Sequence, residues 1–192
     1  MKCLLCENYS LAQHICKKCQ QLFLTPSLYK RTLPNGVQVF SFYRYEDIKQ
    51  FLSTKHTDLG YAIYSLMADL SFKKFANEFH TERQFISIGI DENTKSAYSH
   101  AAILNHALKS RNIKPLHNKL LAQNEVSYSG KSKAFRLANP RDFRIKKFKQ
   151  SDVILVDDII TTGTTLTQAI TVMQKENKEI AFCLTLCDVK MT

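Results

Sequence analysis

The sequence predicts an α/β protein: an open, mainly parallel sheet flanked by helices, preceded by a small cysteine-bearing module. Three observations lead there. Val153-Ile-Leu-Val156 is an unbroken apolar run, followed by a helix-like segment and a second apolar run, Ile180–Cys187. Strand, helix and strand, with the strands apolar throughout, mark a parallel sheet covered on both faces. Two Cys-x-x-Cys pairs, Cys3/Cys6 and Cys16/Cys19, open the chain, and 192 residues at 44% hydrophobic content supply one main core plus a small module. The boundary is expected at residues 1–34 and 35–192, each part with a core of its own.

The N-terminal pairs come first. Each Cys-x-x-Cys turns two sulfurs toward one point, and two such knuckles close a tetrahedron of thiolates around a structural zinc. No apolar leader follows Met1, so metal is favoured over disulfides. Lys2, Lys17 and Lys18 would offset the negative charge of four thiolates. The nine residues between the pairs leave a compact zinc ribbon.

Pro26 and Pro34 punctuate the exit. Val37–Tyr43 reads as a strand and Glu46–Ser53 as a short helix leading to Lys55. Leu59, Ala62, Ile63, Leu66 and Leu70 follow the spacing of a core-facing helix. The stretch Leu59–Phe75 is broken by Asp69, Lys73 and Lys74, too polar to cross a bilayer. A cytoplasmic protein is expected. Phe85–Ile90 is a short buried strand, and Ala101, Leu104, Ala107 and Leu108 mark another helix. Residues 123–149 read as a long basic loop or flap. In the helix after Val156, Leu166, Ala169, Ile170 and Met173 form one face. Cys183 and Cys187 are small core residues.

Chemistry concentrates at Asp157-Asp158-Ile-Ile-Thr161-Thr162-Gly163-Thr164-Thr165. A parallel strand delivers the two acids to the carboxyl end of the sheet, where open α/β folds bind ligands. Paired carboxylates accept hydrogen bonds from vicinal sugar hydroxyls. The Thr/Gly segment wraps a helix start, whose free N–H groups and positive dipole end suit a phosphate. Together they fit a sugar 5-phosphate. Charge adds a second theme. The net charge is +10, and residues 109–149 alone carry twelve Lys/Arg against Glu125 and Asp142. Such a segment suggests an anionic partner. Tyr128, Phe135, Phe143 and Phe148 lie among the cations, the ingredients of single-stranded DNA binding, with Lys17, Lys18, Lys131, Lys133 and Arg136 as candidate contacts.

The thirteen residues Val153–Thr165 resemble the phosphoribosyl pyrophosphate (PRPP) signature of type I phosphoribosyltransferases. That resemblance implies ribose on Asp157 and Asp158, phosphate on Thr161, Thr162, Gly163, Thr164 and Thr165, and Mg²⁺ bridging the pyrophosphate. It places the pyrophosphate turn near Gly89–Asp91, at Ile90 and Asp91. The chain as a whole is similar to the ComF family. That likeness rests on the cysteine knuckles, Tyr43-Arg-Tyr-Glu-Asp-Ile-Lys49 with Lys55, then Gln123, Gly130, Lys131, Arg136, Asn139 and Phe143, and the PRPP loop. The resemblance implies a zinc ribbon fused to a type I phosphoribosyltransferase-like domain. It also implies a role in natural transformation, helping single-stranded DNA across the inner membrane with other competence or DNA-translocation proteins, through peripheral contact at its cytoplasmic face. Two features depart from the pattern. Ile88-Gly-Ile-Asp91 replaces a Pro-rich strand end, and Thr161 stands where purine-specific transferases place an Asp. An active transferase and a non-catalytic PRPP-responsive regulator therefore remain alternatives to the DNA-handling reading.

Overall fold

The computed structural model describes residues 1–10, 14–55, 57–91, 98–124, 135 and 141–190. Among them, seven strands form one sheet: β1 (Tyr29–Thr32), β2 (Gln38–Arg44), β3 (Phe85–Ile90), β4 (Ile113–Ala122), β5 (Phe143–Ile145), β6 (Asp152–Ile160) and β7 (Glu179–Asp188). Their spatial order is β1-β2-β7-β6-β3-β4-β5. The five inner strands run parallel, and β1 and β5 close the edges antiparallel. The helices are α1 (Lys17–Phe23), α2 (Tyr45–Leu52), α3 (Asp58–Ala68), α4 (Lys74–Glu78), α5 (His100–Ala107) and α6 (Thr164–Lys175). One π-helical turn, Asp69–Lys73, joins α3 to α4.

Successive side chains of a strand point to opposite faces, and both faces are covered here. Ile154 and Val156 join an apolar cluster beneath α2, α3 and α5. Val153 and Leu155 join a second cluster beneath α6, with Leu166, Ala169, Ile170 and Met173. That is why the strand reads apolar without alternation. Cys183 and Cys187 are buried, one in each cluster.

Three expectations shift, and one strand, β4, has no counterpart in the sequence reading. Of the helix face expected through Leu59, Ala62, Ile63, Leu66 and Leu70, Ile63 is fully buried and the others are half-buried, while Gly60, Tyr64, Met67 and Ala68 complete the inward face. The π-turn then carries Ser71 and Phe72 onto the buried side, where Phe72 meets Phe42 at 4.8 Å between ring centres. Residues 113–122 showed no strand signal because β4 buries only Ile113 and Leu120 fully, and Asn118, at φ 54°, interrupts the alternation. Part of the expected flap is strand: β5 pairs Phe143–Ile145 with Leu120–Ala122. Finally, the module's core is not separate. Cys3, Ile15, Cys19 and Leu24 belong to the same cluster as Phe42 and Tyr43, and the Tyr43 hydroxyl donates to the Leu24 carbonyl at 2.9 Å. β1, within the first 34 residues, is an edge of the main sheet.

No helix among the described residues is long and apolar enough to cross a membrane.

Candidate functional site

β6 lies between β3 and β7 and continues through both acids, so Asp157 and Ile160 sit in register with Thr185 and Asp188 of β7. Adjacent positions on a strand face opposite ways, which splits the pair. Asp158 ion-pairs with Lys55 in the loop after α2, and its side chain keeps 17% exposure. Asp157 accepts the Asp158 N–H at 2.8 Å. Burial, and then the neighbouring Asp158 charge, push the Asp157 carboxyl up to about 7. Burial would also raise Asp158, but the Lys55 ammonium outweighs it and holds that carboxyl below its usual value. One acid is thus locked ionised, and the other is poised near neutrality. Tyr64, wholly buried nearby, has no hydrogen-bond partner for its hydroxyl among the described residues. Burial and the Asp158 charge both keep that hydroxyl protonated.

Beyond Ile160 the chain turns through Thr161 and Thr162 to Gly163, which stands just before α6 at φ 82°. A Cβ there would strain the left-handed backbone and lie 2.7 Å from Leu33 Cδ2, so glycine is required. The Thr162 and Thr164 hydroxyls pair at 2.8 Å. The niche enclosed by Asp157, Thr161, Gly163, Thr164 and Thr165 is shallow, about 10 Å³. From the edge strand, Arg31 reaches the same turn. It donates to the Thr161 carbonyl at 2.9 Å and the Thr162 carbonyl at 3.3 Å, and pairs with Asp188 at 3.2 Å.

The end of β3 lies beside β6 just before the two acids, with Gly89 in register with Val156. Ile90 is buried, so its side chain belongs to the core. Asp91, at φ 54°, accepts the Ala122 N–H at 3.2 Å and the Arg141 guanidinium at 2.7 Å. Arg141 also stands near enough to Asp157 to draw its pKa down against the larger effect of burial. Sequence reasoning gave Arg31, Arg141 and Asp188 no role at this loop. Each finds its partner through the fold, with Arg31 and Asp188 separated by 157 residues. A larger cavity of about 550 Å³ lies between α3 and α5, lined by Tyr61, Tyr98, Ile103, His106 and Lys109 among others, and includes neither acid of β6.

In the N-terminal module the four sulfurs of Cys3, Cys6, Cys16 and Cys19 all lie within 4.8 Å of one another. The Cys3 carbonyl accepts the Glu7 N–H at 2.9 Å, closing the first knuckle, and the Cys16 N–H points at Cys3 Sγ at 3.3 Å. Cys19 sits in the first turn of α1. A tetrahedron with metal–sulfur bonds of about 2.3 Å has edges of about 3.8 Å, and Cys6 Sγ and Cys16 Sγ are 3.8 Å apart. The donor set therefore fits a tetrahedral thiolate metal.

Lys17 and Lys18 are exposed on α1. Lys131, Lys133 and Arg136 lie outside the described residues, as do Gly130 and Asn139.

A family model described as PRTase-CE matches residues 30–190. No curated protein matches. Solved structures similar to this chain include a hypoxanthine phosphoribosyltransferase from Staphylococcus aureus, 17% identical over 65% of this chain and 62% of that one, TM-score 0.40. This chain thus spans less than two thirds of that protein's length. An orotate phosphoribosyltransferase from Aeropyrum pernix is 17% identical over 89% and 80%, TM-score 0.38. An adenine phosphoribosyltransferase from Saccharomyces cerevisiae is 15% identical over 88% and 86%, TM-score 0.42.

Proposed function

The chain belongs to the PRTase-CE family, and from that premise we propose that it binds PRPP or a related sugar 5-phosphate at the carboxyl end of β6. Asp157 and Asp158 take the ribose hydroxyls, and the backbone N–H groups and hydroxyls of Thr161–Thr165 take the 5-phosphate. The observation that carries this reading is the loop itself: a left-handed glycine leading into α6, directly after two acids at a central strand end. Mg²⁺ would arrive on the pyrophosphate, whose oxygens supply most of its ligands, with Asp91 the carboxylate at that turn. When bound it would offset the charge of a departing pyrophosphate. In the Cys3/Cys6/Cys16/Cys19 cluster we propose a structural zinc, since four protein ligands leave no open position for chemistry.

Calorimetry with PRPP and Mg²⁺ tests the reading. Asp157→Asn with Asp158→Asn removes the charged acceptors, and each lost bond should cost about 1.5–3 kcal/mol. Parental affinity in the double variant would sink the assignment. A pyrophosphate-release assay over a panel of bases then separates transferase from non-catalytic binder.

A second reading has its own support. Lys109, Arg111, Lys114, Arg144, Lys146, Lys147 and Lys149 are exposed in and around β4 and β5, at one edge of the sheet. We propose that this edge binds single-stranded DNA, consistent with the ComF-like role in transformation. Lys17 and Lys18 belong to α1, in the module that packs beside β2, so a strand touching both groups would have to cross the sheet. Replacing Lys146, Lys147 and Lys149 should lower affinity and flatten its salt dependence by roughly 0.7 per lost phosphate contact. Unchanged affinity and slope would exclude this edge.

A further inference from the structure

We propose that Arg31 is the positioning residue of the phosphate loop, holding two of its carbonyls inward so that its N–H groups face the ligand. This rests on the reading that Thr161–Thr165 takes a 5-phosphate. Arg31 lies on β1, the edge strand, and its side chain is mostly buried, 16% exposed. One guanidinium makes three kinds of contact. Nη1 donates to the Thr161 carbonyl at 2.9 Å and to Asp188 at 3.2 Å, and Nη2 donates to the Thr162 carbonyl at 3.3 Å. Asp188 is fully buried and is fixed in turn by the Lys190 N–H at 2.8 Å.

The consequence follows from peptide geometry. In a planar trans peptide the carbonyl of one residue and the N–H of the next point in opposite directions. Drawing the Thr161 and Thr162 carbonyls toward Arg31 therefore turns the Thr162 and Gly163 N–H groups away from it, to the open side of the turn. The Arg31 charge is balanced by Asp188, so its contribution is orientation rather than direct attraction. Only a planar, forked cation holds two carbonyls and a carboxylate at once, and lysine, a point charge on a flexible stem, does not.

The test is calorimetry of ribose 5-phosphate binding to the full chain. Arg31→Met alone would strand a buried carboxylate, so it is paired with Asp188→Asn, which removes both partners together. The double variant should melt near the parent yet bind ribose 5-phosphate at least ten-fold more weakly. Arg31→Lys, which keeps the charge, should lose comparably. On addition of inorganic phosphate, the Thr162 and Gly163 amide resonances should shift in the parent and stay in place in both variants. A folded double variant, or a folded Arg31→Lys, that binds as the parent does overturns the proposal and leaves the loop reading standing. A parent that binds no ribose 5-phosphate overturns both.

Discussion

Asp157 and Asp158 are neighbours with opposite electrostatics, and pH separates them. Asp157 titrates near 7 in the folded protein because burial and the adjacent charge disfavour its ionised form. The folded state therefore holds a proton that the unfolded chain releases near pH 4. Its contribution is greatest below that value and fades as pH rises toward 7. Asp158 works the other way, held ionised by Lys55. It stabilises above the ordinary carboxylate range and is lost as pH falls through its lowered folded value. Urea titrations from about pH 2 to 8 should show Asp157→Asn flattening the decline between about pH 4 and 7, and Asp158→Asn removing the loss below about pH 4. Ligand binding should tighten as Asp157 ionises, with affinity for PRPP rising through pH 7 in the parent and less so in Asp157→Asn. Gly163 is the other sharp position. Alanine there meets both a left-handed backbone and Leu33, so a loss of about 1–2 kcal/mol in unfolding free energy is expected, together with weaker phosphate binding.

At the scale of elements, what could be read in advance depended on whether a segment's neighbours were encoded nearby. β3, β6, β7 and α6 were legible because two covered faces demand continuous apolar runs and one covered face demands a helical stripe. The Thr/Gly loop was legible because a left-handed turn into a helix start needs a glycine at a fixed place in the sequence. β4 was hidden by its interruption at Asn118 and its thin burial, and the Arg31–Asp188 and Arg141–Asp91 pairs by the 157 and 50 residues that separate the partners. The cysteine module was legible in the clustering of its four sulfurs but not in its docking. Because Cys3, Ile15, Cys19 and Leu24 pack with Phe42 and Tyr43, metal loss should reach the sheet. Cys16→Ser, or a strong chelator, is expected to lower metal content well below one per chain and to lower the melting midpoint of the whole protein. A sheet transition unmoved by chelation would show that the shared cluster is energetically minor.

Across the molecule, the strand order ties early residues to late ones. β7 lies between β2 and β6, and the Ser41 and Thr185 hydroxyls, 2.7 Å apart, belong to residues 144 positions apart in the chain. At roughly 5–20 residues per second, a ribosome delivers that partner about 7–30 s after β2 emerges. Over that interval β2 has only β1 beside it, and its other edge, along Val39, Phe42 and Tyr43, stays open, an aggregation hazard for an apolar strand. The cysteine module is made just before β2 and already presents Ile15, Cys19 and Leu24 to it. Metal captured on the nascent chain would therefore act as a folding chaperone in cis, shielding one face of β2 until β7 arrives. Zinc starvation should then cost soluble protein during synthesis, a loss that pulse-labelling would register and that adding zinc after translation would not reverse.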